Sequence, residues 1–154
     1  MYKNKYSKER ERYKKEVANY IKEYPIVNYN KQWKFYVLLS YKSGSKPSNG
    51  INKRMRSLYN RLSYKDSLNF GIYVNEYGSY KRNPHHHLYL YNDMSLSENI
   101  YRINSYWKHV GISKVDIYDD KRSIYYSTKQ LGDSDFNNFN LFEWINKYEK
   151  SKKQ

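Results

Sequence analysis

The chain predicts an α+β fold, an antiparallel sheet with helices packed on it, from three observations. Periodicities alternate in the order helix, strand, helix, strand, strand, helix, strand, helix, helix. Two of the strands, Phe70 to Tyr77 and Pro84 to Tyr91, are joined by a polar turn as a hairpin. The 154 residues fit one domain with a sizeable core, and neither a repeat nor a long linker interrupts them.

Taken in order, residues 1–25 are dense in Lys, Arg and Glu and carry Tyr13, Val17, Tyr20 and Ile21 at helical spacing, with Pro25 at the expected end. This is a basic amphipathic helix whose cations either grip phosphates or are simply solvated. Lys34 to Tyr41 is a strand whose continuous apolar run predicts a central position covered on both faces, with Ser40 near its end. Gly44, Pro47 and Gly50 mark a loop. Ile51, Met55, Leu58, Tyr59 and Leu62 then form one face of a helix that carries Lys53, Arg54, Arg56 and Arg61 elsewhere.

After the hairpin, Ser95-Leu96-Ser97-Glu98 is a capping box, followed by Leu96, Ile100, Ile103 and Trp107 as an inner stripe. His109, just past that helix beside Gly111, suits a surface or helix-end role. Ser113 to Tyr118 alternates as a strand through Val115 and Ile117. Asp119 or Asp120 caps a helix from Lys121 to Leu131 with Ile124, Thr128 and Leu131 inward and Gly132 at its end. Residues 136–149 read as a C-terminal amphipathic helix built on Phe139, Phe142 and Ile145, with Trp144 a further candidate, and Lys147 to Gln154 as a frayed tail.

A formal charge of +14, from 29 Lys and Arg against 15 Asp and Glu, favours polyanionic partners, nucleic acid first. The 21 tyrosines can stack on bases, although Lys, Asn, Tyr and Ile are also what an AT-rich genome supplies. The absence of Cys removes thiolate metal sites, thiol nucleophiles and disulfides. With a charged N-terminus and no apolar run of about 18 residues, a soluble intracellular protein without a membrane partner is expected.

The most informative stretch is Asn83-Pro84-His85-His86-His87-Leu88-Tyr89-Leu90-Tyr91, which holds three of the four histidines. In a strand His85 and His87 stand on one face and His86 joins Leu88 and Leu90 on the other. Two imidazoles so spaced can chelate a divalent ion, or simply decorate a strand end. The hairpin brings Glu76 near them, yet Glu76 shares its parity with Phe70, Ile72 and Val74. Either the metal lies on a partly covered face, or a bulge redirects the carboxylate. Downstream, Tyr126 and Lys129 are an i, i+3 pair and Tyr125 and Lys129 an i, i+4 pair, so helical geometry does not choose between the tyrosines.

The segment Gly71-Ile72-Tyr73-Val74-Asn75-Glu76-Tyr77-Gly78 through Pro84-His85-His86-His87-Leu88, with Tyr126-x-x-Lys129, resembles the motifs of the HUH endonucleases that initiate rolling-circle replication in small single-stranded DNA phages and plasmids. The resemblance covers residues 33–132. It implies a ferredoxin-like, RRM-like nuclease core, metal ligands His85, His87 and Glu76, Tyr126 as nucleophile and Lys129 as its catalytic partner. It further implies nicking and joining of single-stranded origin DNA through a 5′-phosphotyrosine, in the cytoplasm of a host cell. The family's middle histidine-motif position is bulky and apolar, whereas His86 stands here, so a displaced register using His86 is an alternative. Tyr125 is the alternative nucleophile.

Nitrogen and oxygen ligands without thiolate suit Mn²⁺ or Mg²⁺. Lys129 would favour the tyrosine phenolate, contact phosphate or protonate the leaving 3′ oxygen. No Gly-x-x-x-x-Gly-Lys-Ser/Thr loop is present, so any helicase comes from the host or another partner. A transposase or mobilisation relaxase with the same motifs is the enzymatic alternative. A non-catalytic single-stranded nucleic-acid-binding module is the alternative of another class.

Overall fold

The computed structural model describes residues 2–42, 51–63, 67–76, 85–120, 124 and 141–144. At the middle of a five-stranded sheet lie β1 (Phe35–Tyr41) and β3 (His85–Tyr91). Beyond β1 is β4 (Gly111–Ile117); beyond β3 come β2 (Phe70–Glu76) and then β5 (Leu141–Trp144). Every neighbouring pair is antiparallel. Helix α2 (Ile51–Leu62) lies between β1 and β2 in the chain, and α3 (Leu96–Trp107) between β3 and β4. The order β4-β1-β3-β2 from a β-α-β-β-α-β chain is the ferredoxin-like arrangement, as expected.

Alternation along the strands builds one core on each face. Phe35, Val37, Leu39 and Tyr41 of β1, with Leu88 and Leu90 of β3 and Tyr73 of β2, pack against Met55, Leu58, Tyr59 and Leu62 of α2 and Ile103 and Trp107 of α3. These four are members of the stripe that the α2 spacing predicts; the side chain of the fifth, Ile51, lies outside the described residues. Truncating a fully buried member such as Leu39 to Ala costs about 2–5 kcal/mol from lost transfer energy and the cavity left behind. Trp107 Nε1–H donates to the Ser40 carbonyl at 2.9 Å, tying α3 to β1. At the start of β4 a Cβ on Gly111 would meet the Ser40 oxygen at 1.8 Å, so only glycine lets this strand close against β1.

Ser95 caps α3 by accepting from Glu98 N–H at 3.1 Å, as the capping box predicts. The inner stripe differs at one position: Ile100 is 42% exposed, and Asn99 is buried with Ile103 and Trp107. A reciprocal amide pair explains the exchange. Asn92 Nδ2–H donates to Asn99 Oδ1 at 2.8 Å, Asn99 Nδ2–H donates to Asn92 Oδ1 at 3.0 Å, and the pair joins the end of β3 to the start of α3.

The opposite face is covered by α1 (Tyr2–Tyr29), whose Ile21 and Tyr24 pack with Trp33, Phe70, Ile72, Val74, Tyr89 and Tyr91. Val17 and Ala18 extend this contact, whereas Tyr13 and Tyr20 point outward. Pro25 was expected to end the helix but lies inside it. Proline has no N–H, so the Ile21 carbonyl four residues earlier loses its helical donor. Trp33 Nε1–H takes that place, donating to the Ile21 oxygen at 2.8 Å. The helix then ends at Asn30, in the left-handed region at φ 53°, with Lys31 N–H returning to the Pro25 carbonyl at 3.0 Å.

Two more expectations change. The C-terminal helix over 136–149 is not what forms at 141–144, where the chain pairs with β2 from Leu141↔Val74 to Trp144↔Gly71. Unpaired backbone groups on the outer edge of β2 are a strong template, and Leu-Phe-Glu-Trp suits a strand. Pairing therefore overrides the helical spacing of Phe139, Phe142 and Ile145. Nor is β1 covered on both faces: Tyr36, Leu38 and Ser40 are only half-buried. Of the helix expected over 121–131, Ile124 is helical and buried in the α1-side core. Tyr125, Tyr126, Lys129 and the rest of that helix lie outside the described residues.

Candidate metal and nucleic-acid site

The three consecutive histidines of β3 divide between the two faces. His86 is 1% exposed, on the side of α2 and α3, beside Tyr41 and Trp107. Its Nδ1–H donates to Asn75 Oδ1, and its Nε2 accepts from Tyr41 Oη–H at 2.6 Å. Burial first, then the neighbouring His85, His87 and Arg54, lowers its pKa to about 3. A neutral imidazole with both nitrogens engaged in the core is not a ligand in waiting, so the displaced register through His86 is set aside.

His85 and His87 stand together on the α1 side, as their spacing predicts. Their ring centres are 5.0 Å apart with planes at 75°. Two imidazoles sharing one ion each hold their ring centre about 3 Å from it, which puts the centres about 4.5–5 Å apart. The pair therefore fits a shared divalent ion. His87 is buried, and His85 is half-buried.

Register defines their surroundings. His85 pairs with Ser40 on β1 and with Glu76 on β2, and His87 pairs with Leu38 and Val74. The β2–β3 ladder runs unbroken from Phe70↔Tyr91 to Glu76↔His85, so no bulge redirects the strand. The register puts Glu76 directly across from His85, on the same face of the sheet. The side chain of Glu76 lies outside the described residues, and among the described residues no group of three or more His, Cys, Asp or Glu that could hold a metal ion comes together.

The face around the pair is asymmetric. On the β2 side, Val74, Ile72 and Phe70 are fully buried in the core that α1 and Ile124 share. On the β4 side, Ile112 and Lys114, which pair with Ser40 and Leu38, are exposed, Ile112 at 74%. The histidines thus sit where a closed apolar half meets an open half.

Sequence reasoning missed Tyr36. From β1 its hydroxyl lies 2.5 Å from His87 Nδ1, and its ring stacks on the His87 ring with centres 6.0 Å apart and planes at 26°. The alternation of β1 puts Tyr36 on the same face as Leu38 and Ser40, but only the β1–β3 register brings it to His87.

The basic helices are less specific. Lys53, Arg56 and Arg61 are exposed on α2, but Arg61 stacks 4.6 Å over Tyr106 and the half-buried Arg54 5.8 Å over Tyr41, so Arg54 and Arg61 also serve packing. His109 lies exposed in the turn after α3, in keeping with a surface role. Among the described residues no helix is long and apolar enough to cross a membrane. No protein-family model, curated protein or solved structure matches the chain.

Proposed function

We propose that the protein is a metal-dependent HUH-type nickase that cuts and rejoins single-stranded DNA at a replication origin. The observation that carries this reading is the juxtaposition on the central strand: His85 and His87 with ring centres 5.0 Å apart, Glu76 directly across from His85, and the open half of the sheet beside them. Ile124 is buried in the core of that same face, so the chain two residues before Tyr126 lies on the histidine side of the sheet. The charge of +14 supports a polyanionic substrate.

His85, His87 and Glu76 would hold Mn²⁺ or Mg²⁺, which when bound polarises the scissile phosphate and offsets its developing charge. Tyr126 Oη attacks phosphorus, the bond to the 3′ oxygen breaks, and that oxygen takes up a proton. Lys129 stabilises the phenolate beforehand or supplies that proton. The 5′-phosphotyrosine keeps the energy of the phosphodiester for rejoining, and the free 3′-hydroxyl can prime synthesis. A transposase or mobilisation relaxase would use the same groups on a different DNA sequence.

The test incubates the protein with labelled single-stranded DNA of mixed sequence and Mn²⁺, then seeks a denaturation-resistant adduct and locates it by peptide mass. An adduct on Tyr126 is expected; one on Tyr125 keeps the enzyme class and moves the nucleophile. DNA binding indifferent to chelator, with no adduct and no metal uptake, would favour the non-catalytic binding module.

A further inference from the structure

We infer that Tyr36 is the positioning residue that sets which nitrogen of His87 faces a metal. The inference rests on the nickase reading above and adds to it a residue that neither motif contains. Tyr36 stands on β1 directly across from Tyr89, one cross-strand pair away from His87, and its ring lies 5.4 Å from that of Tyr89. Its hydroxyl reaches back along the sheet to His87 Nδ1 at 2.5 Å. The near-parallel stacking of the two rings holds the imidazole plane as well as the hydrogen bond.

The hydroxyl can serve that bond in two directions. If Oη–H donates to Nδ1, the imidazole carries its proton on Nε2 and has no lone pair there for a cation. If Nδ1–H donates to Oη, Nε2 keeps its lone pair, the form that a ligating histidine needs. Tyrosine, unlike a carbonyl or carboxylate acceptor, permits both. It therefore keeps Nδ1 satisfied with and without an ion, and it switches role when an ion binds. His87 is buried, so rotation to some other acceptor would require opening the core between β1 and β3. His85 is half-buried at the start of the strand.

The experiment compares the full chain with Tyr36→Phe, which keeps the ring and its packing and removes the hydroxyl. Long-range proton–nitrogen correlation spectra read the tautomer of His87 with and without Zn²⁺, a diamagnetic stand-in, and calorimetry reads Mn²⁺ affinity. In the parent chain, metal should convert His87 fully to the Nδ1–H form. In Tyr36→Phe, Mn²⁺ affinity should fall about 10- to 100-fold with the circular dichroism spectrum unchanged. Unchanged Mn²⁺ affinity in the variant, or a metal-bound His87 protonated on Nε2, would overturn the inference and leave the nickase reading standing. A parent chain that binds neither ion and forms no DNA adduct would defeat the nickase reading and this inference with it. A DNA adduct on Tyr36 itself would also overturn the positioning role.

Discussion

Three histidines in a row on one strand have two different fates, and the contrast lies in what each face of the sheet offers. His86 enters a core already closed by α2 and α3, where Tyr41 and Asn75 satisfy both ring nitrogens and burial keeps it neutral. His85 and His87 enter the other face at the boundary between its sealed and open halves, paired with each other and, for His87, tied at Nδ1 to Tyr36. The difference teaches that residue type at a position says less than whether the fold has already met that residue's hydrogen-bonding demand.

The sharpest way to break this contrast is to remove the outer pair. On the proposed nickase reading, in which His87 holds the metal, His87→Ala should reduce metal-dependent nicking by about 10²-fold or more while the protein stays folded; nicking assays with a circular dichroism control would decide. Full activity in that variant would reject the ligand assignment.

His86→Ala should do the reverse, lowering stability by about 3–5 kcal/mol. It opens a cavity and strands the Tyr41 hydroxyl and the Asn75 carbonyl oxygen, with urea melts as the measurement. A stability loss under about 1 kcal/mol would contradict the core assignment.

The same residue predicts a pH dependence. His86 has an ordinary pKa of 6.5 when unfolded and about 3 when folded, so below 6.5 the unfolded chain binds a proton that the folded chain refuses. Its contribution is fully present above that value and is lost as pH falls toward about 3, with a slope of at most about 1.4 kcal/mol per pH unit. Urea midpoints in mildly acidic and neutral buffer should therefore converge when His86→Gln is compared with the parent chain. An identical slope in both would assign the acid sensitivity to other groups.

The smallest expected effect concerns the helix that covers the outer pair's face. Trp33→Phe should cost about 1–2 kcal/mol, because the Ile21 carbonyl then loses the donor that replaced Pro25's missing N–H. In a Pro25→Ala background the restored N–H can take that carbonyl, so the cost of Trp33→Phe should shrink by about 1 kcal/mol. Additive losses in the double-mutant cycle would show that the indole bond does not compensate for the proline.

Much of the fold was legible in the sequence. The α2 stripe, the Ser95 cap, the β2–β3 hairpin and the split of His85 and His87 from His86 all follow from local periodicity and cap chemistry. What was not legible depends on partners far along the chain. Nothing near Pro25 announces that Trp33 will supply the missing donor, and nothing near Leu141 announces the unpaired edge of β2. Asn99 is buried in place of Ile100 because Asn92 waits on the preceding strand. Tyr36 at His87 is likewise a matter of register between strands 51 residues apart. The Tyr125, Tyr126 and Lys129 part of the candidate site lies outside the described residues, so it stands as the sequence left it.

The Trp33 bond to the Ile21 carbonyl has one further consequence. Trp33 is buried under α1, and Trp107 is buried under the opposite layer with its own indole N–H donating to Ser40. The two layers on either side of the sheet therefore each contain an intrinsic fluorophore in a dry, hydrogen-bonded setting. With the third tryptophan, Trp144, replaced by Phe, emission from single-tryptophan versions of the chain would report each layer separately. Coincident transitions would mean that the sheet couples its two faces into one cooperative unit. An earlier loss of the Trp33 signal would mean that the α1 layer opens by itself, exposing the His85 and His87 face while the rest of the protein remains folded.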